Sequence, residues 1–450
     1  MGAEAGDVTT RLPAMPPTTR REFLRGTAAG ATGAVLSQAL GCSKRAEDRP
    51  NLFIIVADDF GIDGVGAYGG ESFATPRIDA LAASGVRFET CYATPLCTPS
   101  RVELLTGKYP FRTGWVGNID HRAIADSDGV ARVVDPTLGT WAQRVRDAGY
   151  RTAAAGKWQL CHFDEHPRHV VSCGFDEYRF WYWTVDGKAK NRYWNPAIYE
   201  NGEAKMRVDG AYGPDLFSES LLRFAAADDG RPWLAYYPMI LPHKPYLWPP
   251  TRVGDEGIDR RMHADPEKFP AMVEYMDAVI GQIVDRLEEL GQRERTVVMF
   301  LGDNGTPKEI RPRFRGREVV GGKGKLSEVG SRVPLIVSRP GTIPAGVVAS
   351  DLVDLSDLFP TVLELVGVDS PRGLDGRSFA PVLRGERGAR EWAYSQLGAA
   401  KSLRKGDWKW YSDHRLFDLA ADPFEDQNLH GADSVAAVTA EFEALARDLT

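Results

Sequence analysis

Apolar residues fall along this chain in two alternating rhythms. Residues 52–57 form an unbroken apolar run rich in β-branched side chains, the pattern of a strand buried on both faces as in a parallel sheet. Residues 296–301 read the same way, 233–239 and 333–337 are further strands, and 151–155 is a short one. Between them the spacing turns helical. Thr75-Pro76 opens a helix with Ile78, Leu81 and Ala82 inward, closed by Gly85. Leu138, Trp141, Ala142, Val145 and Ala148 mark a second that ends at Gly149, and 214–227 is a third. Met272, Val273, Met276, Val279, Ile280, Ile283, Val284, Leu287 and Leu290 draw one face of a long amphipathic helix stopped by Gly291. From about 386 the rhythm changes. Residues 392–395, 400–404 and 408–411 read as short antiparallel strands, Asp407 and Asp413 fall at turns, and a helix covers 435–448. Strands that alternate with helices predict an α/β fold, with a large, mostly parallel central sheet sandwiched by helices. A small α+β subdomain of antiparallel strands and one helix follows. The expected division is 1–50 as leader and tether, 51–385 as the main domain and 386–450 as the C-terminal subdomain.

The polar residues that end these strands are of complementary types. Asp58-Asp59 follow 52–57, Lys157 follows 151–155, Pro242-His243-Lys244-Pro245 follow 233–239, and Asp303-Asn304 follow 296–301. In open α/β sheets, ligand sites gather at the C-terminal edge. A solvated turn explains any one of these groups, but four complementary ones point to a single site. Adjacent carboxylates after a buried strand are costly without a neutralising cation. Three carboxylates and an amide oxygen (Asp58, Asp59, Asp303, Asn304) suit Ca²⁺ or Mg²⁺. Lys157, His243 and Arg101 suit an oxyanion, so the whole set suits a phosphate- or sulfate-sized group. The prolines beside His243 hold its backbone extended and its ring rigidly placed. Residues 321–325 form a flexible basic loop carrying Lys323 and Lys325.

Cys97-Thr98-Pro99-Ser100-Arg101 reads as a helix start, with Thr98 as N-cap, Pro99 at the first helical position and Gly107 as the C-terminal cap. Cys97 then lies where free N–H groups and the helix dipole favour an anion. The alternative is a buried cysteine ahead of an ordinary short helix. Aromatic residues crowd 178–200, and packing of a subdomain is favoured there over stacking on a sugar.

Composition adds boundaries. A net charge of -7 argues against a nucleic-acid partner. Five cysteines (42, 91, 97, 161, 173) are too few for a disulfide scaffold, and Cys161 and Cys173 stay open between a pair formed after export and two thiols. Residues 19–25 (TRREFLR) carry a twin-arginine pattern, followed over 26–40 by a weakly apolar run too short and mild for a stable membrane span. The twin-arginine translocase is therefore an expected partner, and the periplasm or cell exterior the expected compartment. Ala39-Leu40-Gly41-Cys42 resembles a lipobox. Two readings stand, lipidation at Cys42 or simple signal cleavage, and the membrane is met only through the signal or a lipid anchor.

These motifs together resemble the type I sulfatases of the alkaline phosphatase-like superfamily, from about residue 51 to the end. The carriers are VADD at 56–59, CTPSR with LLTGKYPFRTG at 97–114, GKW at 156–158, PHKP at 242–245, VEYMDAVIG at 273–281, DNG at 303–305, GGKGKLSEVGSRVP at 321–334 and DLFPTVLELVG at 357–367. The resemblance implies that a formylglycine-generating enzyme converts Cys97 to Cα-formylglycine, whose hydrate attacks the sulfur of a sulfate ester, covalent catalysis by an activated nucleophile. It implies Asp58, Asp59, Asp303, Asn304 and residue 97 itself as ligands of a divalent metal, Ca²⁺ ahead of Mg²⁺. Arg101 would hold the gem-diol and metal cluster. Lys157, His243 and Lys323 would bind the sulfate, with His243 or Lys323 protonating the leaving alcohol. Lys325 is the alternative to Lys323, two residues from the family position.

One position departs from the pattern. The family usually has His directly after GKW, and this chain has Gln159. That His is thought to take the proton when sulfate is expelled, and an amide cannot act as a base near neutral pH. Another group such as His162 takes over, or turnover slows, or the substrate differs. Loss of a general base is commonly worth about 10²–10⁴-fold. The leading expectation is an exported sulfatase acting on a sulfated carbohydrate. A phosphonate monoester or phosphodiester hydrolase of the same superfamily, and a low-activity sulfated-glycan-binding protein, are the alternatives.

Overall fold

Strand β1 (Asn51–Ala57) runs through the middle of a ten-stranded sheet in the computed structural model. The structure describes residues 49–119, 133–185, 188–227, 229–252 and 264–449; the twin-arginine segment and Cys42 lie outside them. In chain order the other strands of this sheet are β2 (Val86–Tyr92), β3 (Arg151–Gly156) and β4 (Glu177–Trp181). A two-residue ribbon, β5 (Thr184–Val185) and β6 (Lys188–Ala189), stands apart before β7 (Ile198–Glu200), β8 (Glu203–Lys205), β9 (Trp233–Pro238) and β10 (Thr296–Gly302). A second ribbon, β11 (Arg313–Phe314) and β12 (Arg317–Glu318), precedes β13 (Arg332–Ser338) and β14 (Val347–Asp354). The spatial order is β14-β2-β13-β10-β1-β9-β3-β4-β7-β8.

The five strands β10-β1-β9-β3-β4 form an unbroken parallel block. Antiparallel pairs lie outside it, at β10-β13, β13-β2, β4-β7 and β7-β8. The sheet is thus parallel at its centre and mixed toward its edges. Every residue of β1, β3, β9 and β10 is buried, as continuous apolar strands covered on both faces must be. The covering helices form two packed groups. Helix α1 (Pro76–Ala83), Gly213–Ala226 and Phe269–Glu289 pack together, as do α2 (Cys97–Thr106), Trp141–Asp147 and Leu358–Val366. The aromatic residues of 178–200 are packing residues, with Phe163 stacked on Tyr199 at 4.4 Å and Trp158 against Phe180 at 5.1 Å. Cys161 and Cys173 are separate buried thiols.

Strands β15 (Trp392–Leu397), β16 (Ala400–Lys405), β17 (Trp408–Tyr411) and β18 (Arg415–Asp418) form the C-terminal antiparallel sheet, followed by the helix Ala436–Asp448. Tyr109 of the main domain enters the core of this subdomain beside Tyr394, Trp410 and Phe442. Lys409 reaches back to donate to Glu328 at 2.9 Å, so a buried ion pair also joins the two parts. Among the described residues no helix is long and apolar enough to cross a membrane.

Candidate active site

The backbone ladder does not stop where the strands do. Asp303 N–H donates to the Ala57 carbonyl at 3.0 Å, Asp58 N–H to Leu241 at 3.0 Å, and Lys157 N–H to Pro238 at 2.7 Å. Strands β10, β1, β9 and β3 are consecutive neighbours, so the groups that follow them emerge side by side at one sheet edge. Gly156 is required here. Its φ is +125°, and a Cβ would lie 2.0 Å from the Pro238 carbonyl oxygen, so only glycine lets β3 close on β9 and deliver Lys157. Asp59 turns away from β1 with φ 65° and donates its N–H to Asp303 Oδ1 at 3.0 Å.

Helix α2 faces this edge. It begins at Cys97, with Leu96 as N-cap, two residues earlier than the sequence pattern suggests. Thr98 does not cap it. Its hydroxyl accepts from Ile119 N–H at 3.2 Å and its own N–H donates to Asn118 Oδ1 at 2.9 Å, so it anchors the following loop instead. Gly107 ends the helix in the left-handed conformation, φ 65°, as expected. All ten residues of α2 are buried.

The consequence is a closed cluster. Cys97 Sγ lies 3.4 Å from Asp58 Oδ1 and 3.5 Å from Asp59 Oδ1. Lys157 Nζ donates to both carboxylate oxygens of Asp58, at 2.8 and 2.7 Å. Lys323 Nζ donates to Asp59 Oδ2 at 2.6 Å, and His243 Nε2 stands 3.5 Å from the same oxygen. Arg101, one turn into α2, donates to Asp303 Oδ2 and to the Lys157 carbonyl, each at 2.9 Å. Asn304 Nδ2 donates to Asp59 Oδ1 at 2.9 Å. Nine of the anticipated residues therefore meet: Asp58, Asp59, Cys97, Arg101, Lys157, His243, Asp303, Asn304 and Lys323. Lys325 is exposed, and Lys323 is the lysine of that loop that reaches the cluster. Gln159 sits two residues beyond Lys157 with φ 54°, its Oε1 buried without a hydrogen-bond partner among the described residues. His162 stacks on Trp183 at 4.7 Å.

Charge within the cluster is finely divided. Burial opposes ionisation of Asp58, but Lys157, His243, Arg101 and Lys323 outweigh it and hold the carboxyl well below its usual range. Asp59 is lowered in the same way, burial being overcome chiefly by Lys323 and His243. At Asp303 burial and the charge of Asp58 win, and its carboxyl is pushed up to about 7. Burial also raises the Cys97 thiol far above the usual range and pushes His243 down to about 3. Burial opposes the Lys323 charge too, but Asp59 overcomes it and keeps the ammonium protonated.

The donor set fits a hard divalent cation. Asp58, Asp59, Cys97 and His243 place ligand atoms within 4.8 Å of one another. Asn304 Oδ1 is buried beside them without a hydrogen-bond partner among the described residues, an oxygen that a hard cation would satisfy. Asp303 adjoins this set through Asp59 N–H and Arg101 and adds a third carboxylate.

Two contributors were not legible in the motifs. Arg192 Nη1 lies 2.9 Å from His243 Nδ1, its guanidinium 3.9 Å over the Trp181 ring. Tyr193 O–H donates to the carbonyls of Ile240 and His243, at 2.6 and 2.5 Å, and so fixes the loop that carries the histidine. Both belong to the aromatic stretch, whose density signals packing and says nothing of one arginine.

Comparison with known proteins extends this picture. A family model described as Sulfatase matches residues 50–368. The N-acetylgalactosamine-6-sulfatase of Canis lupus familiaris is 30% identical over 423 residues, covering 88% of this chain and 79% of the relative. Arylsulfatase G of Mus musculus is 31% identical over 406 residues, covering 78% and 72%. Among solved structures, Ps i-CgsB in complex with k-i-k-neocarrahexaose superposes with a TM-score of 0.72 at 25% identity, covering 89% of this chain and 92% of that one.

Proposed function

Since the chain belongs to the sulfatase family, whose members are sulfuric ester hydrolases, we propose that it hydrolyses sulfate esters of a sulfated glycan through residue 97 converted to formylglycine. The observation that carries this reading is the setting of Cys97. Its sulfur is buried against two carboxylates, and burial keeps the thiol protonated, so the unmodified side chain is a poor nucleophile. A hydrated aldehyde at the same place supplies a hydroxyl directed at sulfur. Asp58, Asp59, Asp303 and Asn304 would hold a divalent cation, Ca²⁺ ahead of Mg²⁺, whose charge would polarise the sulfate.

The remaining work belongs to the side chains. Arg101 fixes Asp303 and the Lys157 backbone and thereby the floor of the site. Lys157 and Lys323 present ammonium groups to the sulfate oxygens, where negative charge develops as the ester bond breaks. His243 stays neutral and gives a hydrogen bond rather than a charge. Lys323 remains protonated and is the group able to hand a proton to a strongly basic alkoxide. Gln159 replaces a base with an amide, so release of sulfate is the slow step.

The named relatives support a carbohydrate: two are an N-acetylgalactosamine-6-sulfatase and a protein solved in complex with a neocarrahexaose. The twin-arginine pattern supports export to the periplasm or beyond, followed either by lipidation at Cys42 or by simple signal cleavage, with the formylglycine-generating enzyme acting first. Parallel assays on a sulfated sugar and on phosphate mono- and diesters test the reaction class. Preferential sulfate release is expected, and preferential phosphoester cleavage would overturn the reading. Gln159 favours one second reading, a slow or inert glycan-binding relative, which repeated turnover would exclude.

A further inference from the structure

Among the described residues, a second group of metal-ligating side chains converges far along the chain from the active-site motifs. His414, His430 and Glu443 bring ligand atoms within 4.8 Å of one another. None of the three side chains has a hydrogen bond or ion pair with the protein among the described residues; the two imidazoles meet with ring centroids 5.1 Å apart.

The backbone that carries them is fixed from behind. His414 lies in the turn between β17 and β18 with φ 64°. Asn428 binds both histidine segments at once. Its Nδ2 donates to the His414 carbonyl at 3.3 Å, and its Oδ1 accepts from His430 N–H at 3.0 Å and Leu416 N–H at 2.9 Å. Each ligand also sits within two residues of an apolar side chain of one satellite core: His414 by Leu416, His430 by Leu429, Glu443 by Phe442. Three unpartnered ligands thus project from three anchored points, and little ordering remains to be done when an ion arrives.

We infer that His414, His430 and Glu443 form a site for a borderline divalent transition metal of the Zn²⁺ class, with water completing the shell. Two imidazoles and one carboxylate suit Zn²⁺ and are poor ligands for Ca²⁺, which prefers oxygen. Such an ion ties the C-terminal helix Ala436–Asp448 to the hairpin of β17 and β18, adding to the apolar packing of that core and to the Lys405–Glu441 ion pair that joins the helix to β16.

The test uses the full chain saturated with Ca²⁺, so that the oxygen-rich site is filled. Zn²⁺ binding is followed by equilibrium dialysis, and Co²⁺ substitution by its visible absorption. The wild type is expected to bind one equivalent more than the His414→Ala/His430→Ala variant, with Kd on the order of micromolar. It should also show a Co²⁺ band that the variant lacks, and a Zn²⁺-dependent rise in Tm that the variant does not share. Glu443→Gln, a near-isosteric change at a half-buried position, should weaken binding about tenfold or more and guards against a folding defect in the double variant. Equal stoichiometry and equal Tm response in wild type and both variants would overturn the site, as would binding only at millimolar metal.

Discussion

Arg192 lies across from His243 with Nη1 2.9 Å from Nδ1. A guanidinium can only donate, so in this contact Nδ1 accepts and the ring proton sits on Nε2, the nitrogen 3.5 Å from Asp59 Oδ2. The Lys244 carbonyl, 2.7 Å from the same Nδ1, would draw the ring to the opposite tautomer. Arg192→Gln should therefore shift His243 toward Nδ1–H and lower kcat/KM by about 10- to 100-fold, the worth of one hydrogen bond to a charged group. Arg192→Lys should recover part of this. Imidazole nitrogen shifts and kinetics measured together check it; unchanged shifts and rates would remove Arg192 from the site.

Gln159 sits where an amide cannot take a proton, its Oε1 buried and unpartnered. Wild-type protein should release its alcohol product in a burst followed by a slower steady state. Gln159→His should raise steady-state kcat by about 10²-fold or more and shrink the burst, within the usual range for a general base. Stopped-flow product release reads both phases. Identical phases in the two proteins would place the slow step elsewhere.

Chelation should act on the fold as well as on turnover. Three buried carboxylates share one site, and burial together with the charge of Asp58 pushes Asp303 up to about 7. Ca²⁺ at about 100 times its Kd should add roughly 2.7 kcal/mol of stability over chelated protein. Asn304→Ala should weaken Ca²⁺ by about tenfold while leaving the Zn²⁺ equivalent assigned to His414 and His430 intact. Calorimetry against Ca²⁺ concentration measures this, and a Tm insensitive to chelator would contradict it.

The subdomain contact makes a prediction in acid. Burial disfavours the Glu328 charge, but Lys409, Arg332 and Arg404 outweigh it and bring its pKa down to about 2. A carboxyl lowered in the folded state contributes stability that is fully present above its unfolded value, about 4.3, and is lost as pH falls toward 2. The stability difference between wild type and Glu328→Gln should therefore be on the order of a few kcal/mol at pH 6 and shrink steadily between pH 4.5 and 2. Denaturant titrations at successive pH values test it, and a difference independent of pH would be inconsistent with the buried pair.

What could be read from the chain was whatever sits next to a strong local signal. Asp58, Lys157, His243 and Asp303 were legible because each follows an apolar strand run, and parallel neighbours carry their ends to one edge. Thr98 misled because its capping chemistry is local, whereas its hydroxyl and N–H are claimed by Ile119 and Asn118 some twenty residues on. The mixed outer strands were less legible, since pairing direction at β13 is set by contacts with β10 and β2 that no short window contains. Arg192 lay hidden for the same reason: its meaning depends on a ring 51 residues away in sequence.

The central claim concerns residue 97, so the decisive measurement is made there. Full-length protein produced with a formylglycine-generating enzyme is digested, the peptide containing residue 97 is weighed and challenged with a hydrazide, and the same preparation is assayed on a sulfated oligosaccharide. An aldehyde at residue 97, with repeated sulfate release that disappears in Cys97→Ala, is the predicted result. Repeated sulfate release from protein whose Cys97 remains a thiol would contradict the account.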